Sequence, residues 1–121
     1  MEKLTTKEEE LMKILWNLKK AFVKEIASKM PKPKPHYNTL STVMRKLEDK
    51  GYVAHESFGN SHRYYPKVKK EDYSKRFMKH AIESYFENSY KNVVSFFAKT
   101  EKISVSDLKE IIEQIEKTKD N

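Results

Sequence analysis

Leu11, Ile14, Leu15 and Leu18, with Trp16 alongside, recur at the three- and four-residue intervals that gather side chains on one stripe of an α-helix. Thr5 and Glu8, or Thr6 and Glu9, stand ahead of this stripe at capping-box spacing, so a helix is predicted to begin there and to end over residues 17–20. A shorter stripe of Val23, Ile26, Ala27 and Met30 predicts a second helix over residues 23–30. It stops at Pro31-Lys32-Pro33-Lys34-Pro35, because proline lacks an amide donor and biases the residue before it away from helical dihedrals. Leu40, Val43, Met44 and Leu47 then fall at i, i+3, i+4 and i+7, with Asn38, Ser41, Thr42, Arg45 and Asp49 largely on other faces. The third helix is predicted over residues 36–50, with Gly51 as its terminating residue.

After Gly51 the pattern changes. Residues 52–56 and the aromatic-rich residues 62–65 suit strands, and residues 57–61, with Gly-Asn chemistry, suit the turn between them; Pro66 ends the second strand. From about residue 71 helical stripes resume: Phe77, Ala81, Ile82, Tyr85 and Phe86; then Val93, Val94, Phe96 and Phe97; then Leu108, Ile111, Ile112 and Ile115, preceded by Ser104 and Asp107 as candidate caps. The predicted class is mainly α with a small β-hairpin. Three helices and a hairpin over residues 1–70 have the order of a winged helix-turn-helix domain, and residues 71–121 form a helical C-terminal region.

Composition narrows the function classes. The 121 residues include 36% charged and 37% apolar positions, with only two glycines and four prolines, which suits a helix-rich chain more than an all-β one. Without cysteine there is no disulfide, thiolate metal site or thiol switch. The sequence has no 18-residue apolar run and no signal-peptide pattern at its start, so no membrane insertion and a cytoplasmic location are expected. The net charge of +7 is uneven: residues 1–70 hold 16 Lys/Arg against 8 Asp/Glu, and residues 71–121 hold 9 against 10. The excess points to an anionic partner for the first part.

The third helix has the character of an element that enters the major groove, which is about 12 Å wide and admits one α-helix. Asn38, Thr39, Ser41 and Thr42 are short hydrogen-bonding side chains, Arg45 can donate two parallel bonds to guanine, and Asn38 can pair with adenine. His62 and Arg63 follow the hairpin turn, where a wing meets the sugar-phosphate backbone. Lys24, Lys29, Lys32 and Lys34 flank the other side as backbone-positioning candidates. A polar helix face is also what any solvated helix shows, and a winged-helix module that binds proteins and no DNA is the competing reading. Trp16 and the hairpin tyrosines read as packing residues.

In the C-terminal region Phe77, Tyr85, Phe86, Val93, Val94, Phe96, Phe97, Leu108, Ile111, Ile112 and Ile115 are more apolar surface than about fifty residues readily cover, which points to a two-fold dimer interface. The alternative is that they fold back onto the first part as one monomeric core. His36, His55, His62 and His80 show no metal-ligand spacing, and there is no glycine-rich phosphate loop and no nucleophile elbow, so no enzyme, metal or cofactor is expected.

The stretches Glu10-Leu11-Met12-Lys13-Ile14-Leu15-Trp16, Glu25-Ile26, residues 37–53 and Arg63-Tyr64-Tyr65-Pro66 resemble the penicillinase-repressor family, with residues 37–53 the most specific part. The resemblance implies a bacterial repressor that binds a palindromic double-stranded operator as a homodimer. It carries operator contacts onto Asn38, Thr39, Ser41, Thr42 and Lys46, with the wing at His62 and Arg63. Antibiotic-responsive members have a basic residue where Ser41 stands here, which implies a different operator sequence. The resemblance also implies release by a membrane-bound sensor protease cutting near Phe96-Phe97, although Phe96 replaces the asparagine of those members. Copper-responsive relatives use C-terminal cysteines, which this chain lacks.

Overall fold

A computed structural model describes residues 2–100 and 102–119. By internal contacts the chain divides into two compact units, Met1–Ser74 and Lys75–Asn121.

In the first unit, α1 (Thr6–Leu18) begins with Thr5. The Thr5 amide donates to Glu8 Oε1 at 2.8 Å and the Glu8 amide donates to Thr5 Oγ1 at 3.2 Å, so of the two spacings in the sequence the Thr5–Glu8 pair forms the capping box. Leu11, Met12 and Leu15 are buried, while Ile14 and Leu18 lie at the edge of the core. The helix ends in a γ-turn centred on Lys19 (φ 73, ψ −50), where the Lys20 amide donates to the Leu18 carbonyl at 2.9 Å. The chain then enters β1 (Ala21–Phe22), a strand that periodicity does not reveal because two residues are too short to show one.

Helix α2 (Val23–Ser28) is shorter than predicted. Its continuation tightens, with the Lys29 amide on the Ile26 carbonyl and the Met30 amide on the Ala27 carbonyl, yet Met30 still reaches the core. Helix α3 (Tyr37–Asp49) buries Leu40, Met44 and Leu47 completely and leaves Val43 at the core edge. It closes in a Schellman motif: the Tyr52 amide donates to the Leu47 carbonyl and the Gly51 amide to the Glu48 carbonyl, with Gly51 at φ 85.

Strands β2 (Val53–Phe58) and β3 (Ser61–Pro66) pair antiparallel, and β1 adds to the far side of β3 to give the order β1-β3-β2. Phe58 faces Ser61, so the turn is the two residues Gly59-Asn60 and not the predicted five. Gly59 takes φ +60, which matches the glycine-first hairpin turn whose twist agrees with that of the strands. The tighter turn extends both strands beyond the predicted ranges.

A buried ion pair ties the beginning of this unit to the end of α3. Glu8 is 3% exposed and receives a hydrogen bond from Lys50 Nζ at 2.6 Å. Burial alone would raise the Glu8 pKa, but the bonds from Lys50 and Thr5 and the Lys50 charge together hold it below the usual carboxylate range.

Helix α4 (Lys70–Tyr85) starts in the first unit and continues into the second. Its Tyr73 hydroxyl donates to Glu9 Oε2 at 2.7 Å, and its ring lies 5.5 Å from that of Trp16, whose Nε1 donates to the Val68 carbonyl at 2.9 Å. Burial first, and then the bond to Glu9, push the Tyr73 hydroxyl well above the ordinary tyrosine range.

The second unit contains the rest of α4, α5 (Tyr90–Lys99) and α6 (Val105–Lys119). Ser89 caps α5 through the Asn92 amide, and Ser104 and Asp107 form one reciprocal cap on α6. Among its described hydrophobic residues only Ile82 is buried. No described helix is long and apolar enough to cross a membrane.

Candidate nucleic-acid interface

The two faces of α3 define the site. Leu40, Met44 and Leu47 fix the helix to the core, and a helix anchored at i, i+4 and i+7 must turn the intervening positions outward. Asn38, Thr39, Thr42, Arg45 and Lys46 are exposed; Ser41 is half-buried. Thr42 Oγ1 donates to the Asn38 carbonyl at 2.9 Å, which orients the hydroxyl along the helix and keeps its methyl outward-facing. The structure therefore brings Asn38, Thr39, Thr42, Arg45 and Lys46 to one accessible side, with Ser41 at its margin.

The hairpin leaves the C-terminal end of α3 and runs back along it. Its tip closes a groove of about 420 Å³ with the beginnings of α2 and α3, lined by Phe22, Val23, Lys24, Glu25, Tyr37, Phe58, Ser61 and His62. A larger cleft of about 510 Å³ is lined by Lys13, Trp16, Asn17, Pro66, Lys69, Lys70 and Glu71, none of them a candidate DNA-facing residue. The smaller groove abuts the N-terminal end of α3 through Tyr37.

His62 and Arg63 are adjacent in sequence and so point to opposite faces of β3. His62 stacks on His55, with ring centroids 4.0 Å apart and planes 11° apart. His55 Nδ1 lies 2.8 Å from both carboxylate oxygens of Glu48 and thereby joins the hairpin to α3. Arg63, on the other face, lies 4.8 Å from the Phe58 ring centroid and 3.5 Å from Glu56 Oε1, which also receives Lys20 at 3.2 Å. The hydrogen bond from Lys20, with the charges of Lys20 and Arg63, holds the Glu56 carboxyl below its ordinary range. Arg63 Nε is buried without a partner among the described residues. Arg63 is thus braced against the wing, while His62 faces α3. Sequence reasoning missed the exposed Phe58 at the tip, and the unexpected β1 strand explains why: Phe22, which supports it, is brought there by that pairing.

Among the described residues no group of His, Asp or Glu is placed to hold a metal ion. The family model of the penicillinase repressor matches residues 4–117. The chain belongs to the penicillinase repressor family. Membership in the penicillinase repressor family places it among regulatory proteins, not enzymes, and the match runs through both units. The solution structure of the DNA-binding domain of the repressor BlaI is similar at 26% identity, covering 60% of this chain and 94% of that one with a TM-score of 0.51. The CopR repressor structure is a looser likeness, at 25% identity over 56% of this chain and 100% of that one with a TM-score of 0.47. A comparison with the curated proteins gives no match.

Proposed function

We propose that this penicillinase repressor family member is a transcriptional repressor that reads a double-stranded operator with α3 and binds it as a homodimer. The observation that carries the reading is the division of α3: three fully buried apolar anchors on one side and exposed Asn38, Thr39, Thr42, Arg45 and Lys46 on the other. Arg45 and Asn38 are the base-reading candidates, because their planar donor groups match purine edges in the major groove. Thr39, Ser41, Thr42 and Lys46, with His62 of the wing, supply backbone and auxiliary contacts, and Arg63 contributes by bracing the wing through Phe58 and Glu56. The similarity to the BlaI DNA-binding domain supports the same role for the first unit.

The second unit supports dimerisation. Phe77, Tyr85, Val94, Phe97, Ile111, Ile112 and Ile115 are exposed, and Phe86, Val93 and Leu108 are only half-buried. A second copy would cover this surface and set two reading helices about one turn of DNA apart, or a multiple of it, on a palindromic site. Release by a sensor protease cutting at Phe96-Phe97 would require α5 to open locally, because that bond lies within the helix. A DNA operator as target fits a cytoplasmic location.

The test is selection from random duplexes by the full chain, followed by titration of the Arg45→Ala variant. A preferred two-fold site is expected, with Arg45→Ala losing about 1–3 kcal/mol of discrimination at one position in each half-site. Equal binding of all duplexes by the native chain would overturn the reading.

A further inference from the structure

Resting on the DNA-reading proposal, we propose that Phe58 is an apolar wedge, set by the wing against the deoxyribose and base edges of the minor groove beside the segment read by α3. Phe58 is the last residue of β2, directly before the Gly59-Asn60 turn, and is 47% exposed. An aromatic ring at a hairpin tip gains nothing from water. This one is nevertheless held in place: the Phe22 ring meets it edge-on at 5.7 Å and 70°, and the Arg63 guanidinium lies 4.8 Å from its centroid. Arg63 is tied to Glu56, and Glu56 to Lys20. The ring therefore meets a partner without much ordering cost, the condition under which a contact contributes most to affinity.

Its surroundings indicate which partner. The groove beside Phe58 carries Lys24, Tyr37, Ser61 and His62. Its carboxylate, Glu25, accepts the Phe22 amide at 2.9 Å as part of the α2 cap. A lysine, an imidazole and two hydroxyls around one apolar ring suit a phosphate strand with sugar edges behind it. Position agrees. Six-residue strands extend about 20 Å, as does the 13-residue α3. The hairpin and α3 are therefore of similar length, and the tip stands beside Tyr37 at the N-terminal end of α3, next to the helix that fills the major groove and not inside that groove. Proteins that bind the minor groove insert Phe, Leu or Ile between base steps or against sugars.

The experiment uses the full chain and the duplex it selects from a random pool. Phe58→Ala should lower affinity by about tenfold and leave the salt slope unchanged, since an apolar contact releases no counterions. F58L should retain part of the affinity. In a second arm, diaminopurine replaces adenine in the flanking A·T pairs, adding an amino group to the minor groove while keeping the major-groove edge of adenine. The native chain should lose at least about fivefold on this duplex and F58A almost nothing. F58A affinity within twofold of the native chain, or native indifference to diaminopurine, overturns the wedge and leaves the ring as a surface for a protein partner. If the native chain selects no duplex at all, the DNA-reading proposal fails first and the wedge falls with it. Trp16 emission and thermal melting report the fold of each variant, and the diaminopurine arm on the native chain needs no variant.

Discussion

Lys50→Met tests the closure of the first unit. Lys50 Nζ donates to the buried Glu8 carboxylate at 2.6 Å and to the Lys3 carbonyl at 3.3 Å, with the two side chains of the ion pair 19% and 4% exposed. Methionine keeps much of the aliphatic stem and removes the charge, so Glu8 retains the Thr5 amide but loses its counter-ion. Breaking a buried pair from one side costs about 3–5 kcal/mol. The remaining amide bond and the partial exposure of Lys50 reduce this to about 2–4 kcal/mol. Such a loss is a large share of the roughly 5–15 kcal/mol that stabilises a domain. With a urea slope near 1–1.5 kcal/mol/M for so small a unit, the midpoint should fall by about 2 M. Trp16 is the only tryptophan and lies within the unit, so its emission follows the transition directly. Glu8→Gln in the Lys50→Met background should recover much of the loss by removing the stranded charge. Because the folded pKa of Glu8 is lowered, the stabilisation is present above the unfolded value of 4.5 and fades as pH falls through the folded value. The gap between native protein and Lys50→Met should therefore narrow on acidification below that range. A loss under about 0.5 kcal/mol, typical of an exposed pair, or a gap that widens with acid, would refute the reasoning.

Tyr73→Phe deletes the hydroxyl bond to Glu9 and should cost about 1.5–3 kcal/mol in urea titration, with operator selection unchanged. A fragment ending at Ser74 should melt cooperatively as a monomer, whereas one ending at Lys69 should lose the Tyr73 contacts and melt lower, as calorimetry and sedimentation can measure. Ile112→Glu in the full chain should shift sedimentation from dimer to monomer and weaken operator binding, because it places a charge in the proposed interface. Replacing Lys24 or Lys32 with Ala should each reduce the slope of log affinity against log salt by about 0.9 if that residue contacts a phosphate.

The long elements could be read from the sequence because their burial is periodic. Leu40, Met44 and Leu47 of α3 are anchored as their spacing requires, and the same spacing turns Thr42 and Arg45 outward, whereas Lys46 is indicated by the family resemblance alone. The capping box at Thr5 was legible to within one residue, since Thr5-Thr6 and Glu8-Glu9 offer two equivalent registers and only the buried position of Glu8 decides between them. Features that depend on contacts distant in sequence were not legible. β1 exists because Ala21 and Phe22 find Tyr64 and Arg63 some forty residues later. No local pattern connects Arg63 to Phe58 and Glu56, which hold its guanidinium across the hairpin. The Glu8–Lys50 pair likewise joins positions that no local pattern connects.

The chain has only two glycines, and both stand at the limits of the wing: Gly51 where α3 gives way to β2, and Gly59 at the tip, at φ 85 and 60. Lys19, Glu87 and Asn88 take comparable left-handed angles without that freedom. Backbone tolerance is therefore concentrated on the shape of a single appendage, while strain is accepted elsewhere. Anyone seeking a hardier form of this protein would begin at Lys19 and Glu87, where glycine relaxes the chain, and would leave both ends of the hairpin untouched, since a side chain at either would warp the span joining the helix to its outermost ring.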